Sequence, residues 1–208
     1  MALKIGSKLL GYVQTNTYFV YDEDTKATIV FDPAANGKEL YEQLNELGFD
    51  VKAIFLTHGH FDHIMGVNEF KNAAGDINVY ASKEEVELCG SAQLNCSEQI
   101  GRPYTVKVDV PLGDGEVVDI AGIKIKLIYT PGHTIGSSCY LFEEDKILIA
   151  GDTLFLGSCG RTDLPTGSGG TLDRSLKKLM ELDDDIAVYP GHGDKTTIGY
   201  ERKYNPFC

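Results

Sequence analysis

Thr57-His-Gly-His-Phe-Asp-His63 packs three histidines and an aspartate into seven residues, directly after the apolar run Ala53-Ile-Phe-Leu56. That run reads as a short buried strand, so the polar cluster begins where the strand ends. A single loop histidine is more often a hydrogen-bonded structural residue than a ligand. Three crowded together are different, because neighbouring imidazoles repel on protonation unless a cation holds them neutral. His58 and His60, two apart, point the same way if the chain stays extended there. Asp62 and His63 follow after it has begun to turn, and Gly59 and Gly66 permit the tight path. One loop can thus feed two metal ions.

Working outward, the other two histidines recur in the same setting. Pro131-Gly-His133 follows the alternating run Ile123–Tyr129, and Pro190-Gly-His192 follows a strand at 186–189. Gly151-Asp152 closes another strand at 146–150, which pairs with Ser138–Phe142 through a turn at Glu143-Glu-Asp145. In the first half, 17–21 and Ala27–Phe31 form a hairpin turning at Asp22-Glu-Asp-Thr25. Residues 37–47 read as a helix, with Leu40, Leu44 and Leu47 on one face and Gly48 as C-cap. A second helix carries Leu172, Leu176, Leu179 and Met180, with Thr171 as its N-cap. Gly167-Ser-Gly-Gly170 reads as a surface loop, and 90–104 carries no assignable signal. Each half therefore reads strand pair, helix, strand, closed by a histidine-bearing loop. The expected fold is α/β: a four-layer αββα sandwich of two mixed β-sheets with outer helices, in a single domain, 1–208.

His58, His60, Asp62, His63, His133, Asp152 and His192 are the expected metal ligands, with Asp152 able to bridge two ions. Two divalent cations outweigh these carboxylates and a bridging hydroxide, which suits an anionic substrate. The donors are nitrogen and oxygen, with no obvious thiolate. Zn2+ fits such a set, and Fe or Mn is also allowed.

The 208 residues carry 19 Lys and Arg against 31 Asp and Glu, a net charge of −12. That field opposes nucleic acid binding and disfavours a ribonuclease. The N-terminus lacks an apolar stretch of signal-peptide length, and no apolar run is long enough to span a bilayer. Five cysteines without a CxxC pair argue for reduced thiols and a cytoplasmic protein. Cys139 reads as core and Cys159 as a bystander.

The four segments Thr57-His-Gly-His-Phe-Asp-His63, Pro131-Gly-His-Thr134, Gly151-Asp-Thr153 and Pro190-Gly-His-Gly193 together resemble the metallo-β-lactamase superfold over residues 15–195. The Asp32-Pro33 turn is similar too, with Asp32 as a turn or supporting residue rather than a ligand. The resemblance implies that His58, His60 and His133 hold one metal, and Asp62, His63 and His192 the other, with Asp152 between them. Gly151-Asp-Thr-Leu-Phe155 and Gly160-Arg-Thr-Asp-Leu-Pro165 look like the glyoxalase II-like branch, whose members hydrolyse glutathione thioesters. The tail Glu201-Arg-Lys-Tyr-Asn-Pro-Phe207 is similar to its short bacterial members. Full-length glyoxalase II enzymes add a helical C-terminal domain that contributes to glutathione binding, for which these 208 residues leave no room. The segment 82–116, or a second copy in a homo-oligomer, is the candidate for that wall.

The expected chemistry is metal-assisted hydrolysis of a small anionic thioester, by a metal-bridged hydroxide whose parent water is acidified to a pKa of about 7. Asp62 is the expected catalytic carboxylate, orienting the nucleophile as well as binding metal. Arg161 is the candidate for steering the substrate; its alternative is a surface arginine paired with Asp163. The rival enzyme is a mononuclear iron sulfur dioxygenase, which uses only the His58, His133 and Asp152 subset. A lactonase or β-lactamase fits the same superfold, although without an export signal an antibiotic-directed role is weaker. A non-catalytic metal-binding regulatory module is the reading from another class, and seven filled positions tell against it.

Overall fold

Strand alternation sorts the apolar residues of this chain into three separate cores, and that partition makes the layers. The computed structural model describes residues 3–208. The first sheet has the order β1(Leu3–Leu10), β2(Thr15–Asp22), β3(Ala27–Phe31), β4(Asp50–Phe55), β5(Asn78–Ser82), β6(Val110–Leu112). Its first pairings are antiparallel, and those from β3 to β6 are parallel. The second sheet holds β7(Val117–Ile120), β8(Ile123–Tyr129), β9(Ser138–Phe142) and β10(Ile147–Gly151). A two-stranded ribbon, β11(Leu154–Phe155) and β12(Ser158–Cys159), precedes its last strands, β13(Ala187–Pro190) and β14(Thr196–Thr197).

Successive side chains of a strand face opposite ways. Ile29, Phe31, Ala53 and Phe55 thus meet Tyr140, Phe142, Ile147 and Ile149 between the sheets. Their neighbours Val30, Ile54 and Leu56 face outward, onto helices α1(Gly37–Glu46) and α3(Val67–Ala74) through Leu40, Leu44, Val67 and Phe70. On the far side, Cys139, Leu141, Leu148 and Ala150 take Leu172, Leu176 and Leu179 of α5(Gly169–Leu179). Each such buried large side chain contributes about 1.5–3 kcal/mol relative to exposure. The result is the αββα sandwich of two mixed sheets. The short helices α2(Phe61–Ile64), α4(Val86–Cys89) and α6(Ile198–Tyr204) complete it, and among the described residues no helix is long and apolar enough to cross a membrane.

Two local expectations need correction. The α5 N-cap is Ser168, not Thr171: both Thr171 N and Leu172 N donate to the Ser168 carbonyl. Gly169 and Gly170 therefore form the first turn of the helix rather than loop. Ser168 N donates to Gly132 O, so a tertiary tie sets the start despite poor helix formers.

The strand directions position the site. β8 and β10 each run antiparallel to β9, and β13 runs parallel to β10. The chain therefore leaves β8, β10 and β13 at one end of the second sheet, where His133, Asp152 and His192 follow. The loop after β4 brings the other four donors to the same seam. Ser138 N donates to Thr57 O, and Tyr140 Oη to Leu56 O, so hydrogen bonds stitch the sheets beside the candidate ligands.

Candidate metal centre

The seven side chains collect into three overlapping groups: His58, His60 and His133; His58, His63 and Asp152; and Asp62, His63 and His192. Within each group the donor atoms lie within 4.8 Å of one another. Asp152 sits between the outer groups, with Oδ1 3.4 Å from His63 Nε2 and Oδ2 3.6 Å from His133 Nε2 and 3.5 Å from His192 Nε2. Asp62 Oδ2 is 3.2 Å from His192 Nε2.

Neighbouring groups decide which ring nitrogens face inward. His133 Nδ1 lies 2.7 Å from Arg161 O, so it donates outward and turns Nε2 to the cluster. His63 Nδ1 donates to Asp32 Oδ2 at 2.9 Å, with the same result. Thr57 Oγ1 donates to Asp32 Oδ2 (2.6 Å), leaving its lone pair for His58 Nδ1 at 3.2 Å. Asp32 Oδ1 also accepts Thr57 N at 2.8 Å. One buried carboxylate thereby orients a ligand of each outer group, as supporting residues do in metal sites.

The donor set fits metal. His58 Nε2, His60 Nε2, His63 Nε2 and Asp152 Oδ1 are buried without a hydrogen-bond partner, an arrangement folded proteins avoid unless something else satisfies such atoms. Burial holds the His58 ring well below its ordinary pKa, aided by His63 and His133, and takes His60 down to about 3. Both are then neutral, with lone pairs to offer. Burial opposes charge on His63 also, but Asp152, Asp62 and Asp32 hold it well above the ordinary value. For Asp62 burial favours the acid, yet His63 and His192 keep it ionised, well below the usual carboxylate range.

Glu85 was not legible as a site residue. It is fully buried and accepts Gly59 N and Thr134 Oγ1, each at 2.8 Å, on Oε1, and Gly136 N at 2.7 Å on Oε2. It clamps the His58–Gly59–His60 turn to the loop after His133. Burial pushes its carboxyl up to about 7 against those three donors.

Close backbone approach leaves no room for side chains here. A Cβ on Gly191 would overlap Asp152 Oδ1 and lie 2.7 Å from His63 Cε1. Gly191→Ala is expected to displace Asp152 and leave the purified protein with less than two metal equivalents by elemental analysis. Two retained equivalents would show that the carboxylate can yield without loss of the site.

Arg161 stands apart. Its guanidinium is exposed and clasped by Asp163, with both Nε and Nη2 at 2.6 Å from the carboxylate, the pairing that is the alternative to a substrate role. A cavity of about 820 Å³ opens instead beside Asp62, walled by Tyr12, Val13, Phe61, Met65, Ile100 and Arg102, among others. Cys139 lies in the core and Cys159 is half-buried.

An αββα sandwich with a nitrogen- and oxygen-donor cluster at the strand ends is the architecture of a metal-dependent hydrolase, and its donor geometry is compatible with a dinuclear centre. The chain belongs to the metallo-beta-lactamase superfamily, whose family model matches residues 10–192. It is 34% identical over 201 residues to hydroxyacylglutathione hydrolase GloC of Haemophilus influenzae, covering 93% of this chain and 92% of that protein. Among solved structures it is similar to the BLEG-1 B3 metallo-beta-lactamase, with a TM-score of 0.92, 36% identity and coverage of 98% and 99%. It is also similar to TTHA1623, solved in a di-iron-bound form, with a TM-score of 0.86, 32% identity and coverage of 98% and 100%.

Proposed function

We propose that the protein is a glyoxalase II-like thioesterase that hydrolyses hydroxyacylglutathione or a related thioester of an anionic thiol. The observation that carries this reading is the pair of three-donor groups with Asp152 between them. The likeness to the Haemophilus hydrolase supports the substrate class. Two divalent ions, most simply Zn2+ with Fe or Mn as alternatives, would be held by His58, His60 and His133 and by Asp62, His63 and His192. Bound there, they would supply a nucleophile at neutral pH and polarise the acyl carbonyl.

The chain's own residues set where the acyl group enters. Side chains of the first group are at most 3% exposed, whereas Asp62 is 14% and His192 25% exposed. Substrate therefore approaches on the side of Asp62 and His192, the cavity opening beside Asp62. Asp62 Oδ2 accepts from Thr15 Oγ1 at 3.3 Å, which fixes the carboxylate facing that opening. There it can hold the attacking water's proton and orient the water. A thiolate leaves without needing protonation, so no separate general acid is required.

The test is metal stoichiometry of protein purified without chelators, alongside hydrolysis of S-lactoylglutathione. Two metals per chain with turnover is the expected result. One iron with no turnover would point to the sulfur dioxygenase and sink the thioesterase reading. The 36% identity to a B3 metallo-beta-lactamase favours β-lactam hydrolysis as a second reading, so a chromogenic β-lactam belongs in the same assay.

A further inference from the structure

From the placement of Arg102 in the cavity beside Asp62, we infer that this residue binds a carboxylate on the thiol portion of the substrate, with the acyl end at the metal cluster. The inference rests on the thioesterase reading above and names the residue that selects the thiol.

The cavity volume of about 820 Å³ lies in the range of small-molecule clefts. Its wall is mostly apolar: Val13 and Ile100 are roughly half exposed, and Tyr12 is 95% exposed, at the turn between β1 and β2. Large apolar side chains left open around a cleft that reaches a catalytic carboxylate are suited to cover a ligand.

Arg102 is the one basic residue on that wall among the described residues. The other three arginines are engaged: Arg161 with Asp163, Arg174 with Thr171 Oγ1, and Arg202 with Asp184 and two backbone carbonyls. No carboxylate or other polar partner holds the Arg102 guanidinium among the described residues, in a chain of net charge −12. Glu69, the other charged wall residue besides Asp62, is an acid. A substrate carboxylate thus has a single favourable place, and a dense polyanion is disfavoured.

The backbone under Arg102 is fixed to the site rather than free. Phe61, which precedes Asp62, donates its N–H to Asn95 O at 2.9 Å. The buried Asn95 side chain donates to Tyr104 O at 2.8 Å and accepts Ser97 N at 2.9 Å. Ser97 Oγ accepts Tyr104 N at 2.9 Å, and Ser97 O accepts Arg102 N at 3.1 Å. The residues from 95 to 104 form a knot whose one end holds the loop of the metal ligands and whose other end carries Arg102. Such preorganisation lowers the ordering cost of binding. The knot supplies from within segment 82–116 the wall expected for the thiol.

The experiment compares wild type with Arg102→Ala and Arg102→Lys in two assays. In the first, S-lactoylglutathione, whose thiol carries carboxylates, is set against the S-lactoyl thioester of mercaptoethanol, whose thiol carries none. A lost charge-assisted contact predicts a KM for S-lactoylglutathione about ten- to hundredfold higher in Arg102→Ala, a matching fall in the preference ratio of kcat/KM, and partial rescue by lysine. The second assay measures binding of S-methylglutathione, a thioether that cannot be hydrolysed, by calorimetry. Weaker binding by Arg102→Ala supports the inference. Equal affinity for the two proteins, or no binding to wild type, overturns it. Arg102-dependent binding without any thioester hydrolysis would sink the thioesterase reading while leaving Arg102 as the carboxylate site. Hydrolysis with an unchanged preference ratio would do the reverse.

Discussion

Asp62→Ala is expected to abolish measurable thioester turnover, a fall in kcat of roughly 10²–10⁴-fold or more. The carboxylate combines two roles that the other donors divide. It belongs to the group with His63 and His192, and it lines the cavity proposed to admit the substrate. Its ionised state is held by His63 and His192, so it is an acceptor throughout the neutral pH range. Alanine removes both the donor and the carboxylate proposed to orient the attacking water. Steady-state kinetics should be read beside metal analysis: loss of turnover with one metal retained separates the missing ligand from a collapsed site. Wild-type turnover in the variant would remove Asp62 from the mechanism.

Asp32→Ala should be the most destabilising single change near the site, at about 3–5 kcal/mol, because it strands buried donors that a carboxylate had satisfied. Thr57 N, Thr57 Oγ1 and His63 Nδ1 all lose their acceptor, and His58 loses the support relayed through Thr57. At roughly 2–4 °C per kcal/mol for a chain of this size, thermal melting should fall by about 10 °C. Asp32 also holds a left-handed backbone, φ 48°, which alanine tolerates poorly and asparagine well. Asp32→Asn keeps that backbone and one acceptor oxygen but turns an NH2 group toward a donor, so its melting point should lie between the two. An unchanged melting temperature for Asp32→Ala would show that the network does not anchor the fold.

The histidine loops were legible because each follows a strand with a strong apolar signal, a continuous run at 53–56 and an alternation at Ile123–Tyr129. The sandwich followed from the same strand signals, since two halves that each read strand pair, helix, strand leave little else to build. Glu85 was hidden for the opposite reason. It ends the run Ser82-Lys-Glu-Glu85, which looks solvated, and its burial depends on partners at Gly59, Thr134 and Gly136, far away in sequence. The segment 90–104 has no hydrophobic period to read; side chains of Asn95 and Ser97 bonded to the main chain hold it together. Arg161 is nominated by its nearness to Asp152 along the chain, but Asp163 two residues on takes its guanidinium. Arg102 reaches the cavity only through a loop whose path the sequence does not announce.

The seam between the sheets also sets an order of events in the life of the protein. Each outer donor group draws two side chains from the loop after β4 and one from the second sheet. A chain that has completed only its first half offers each outer group two of its three donors, too few to retain an ion against a competing cell. Full coordination of a bound metal would arise only once His133 and His192 had been carried across by the docking of the second sheet, so metal loading would mark the end of maturation and tell a finished molecule from an unfinished one.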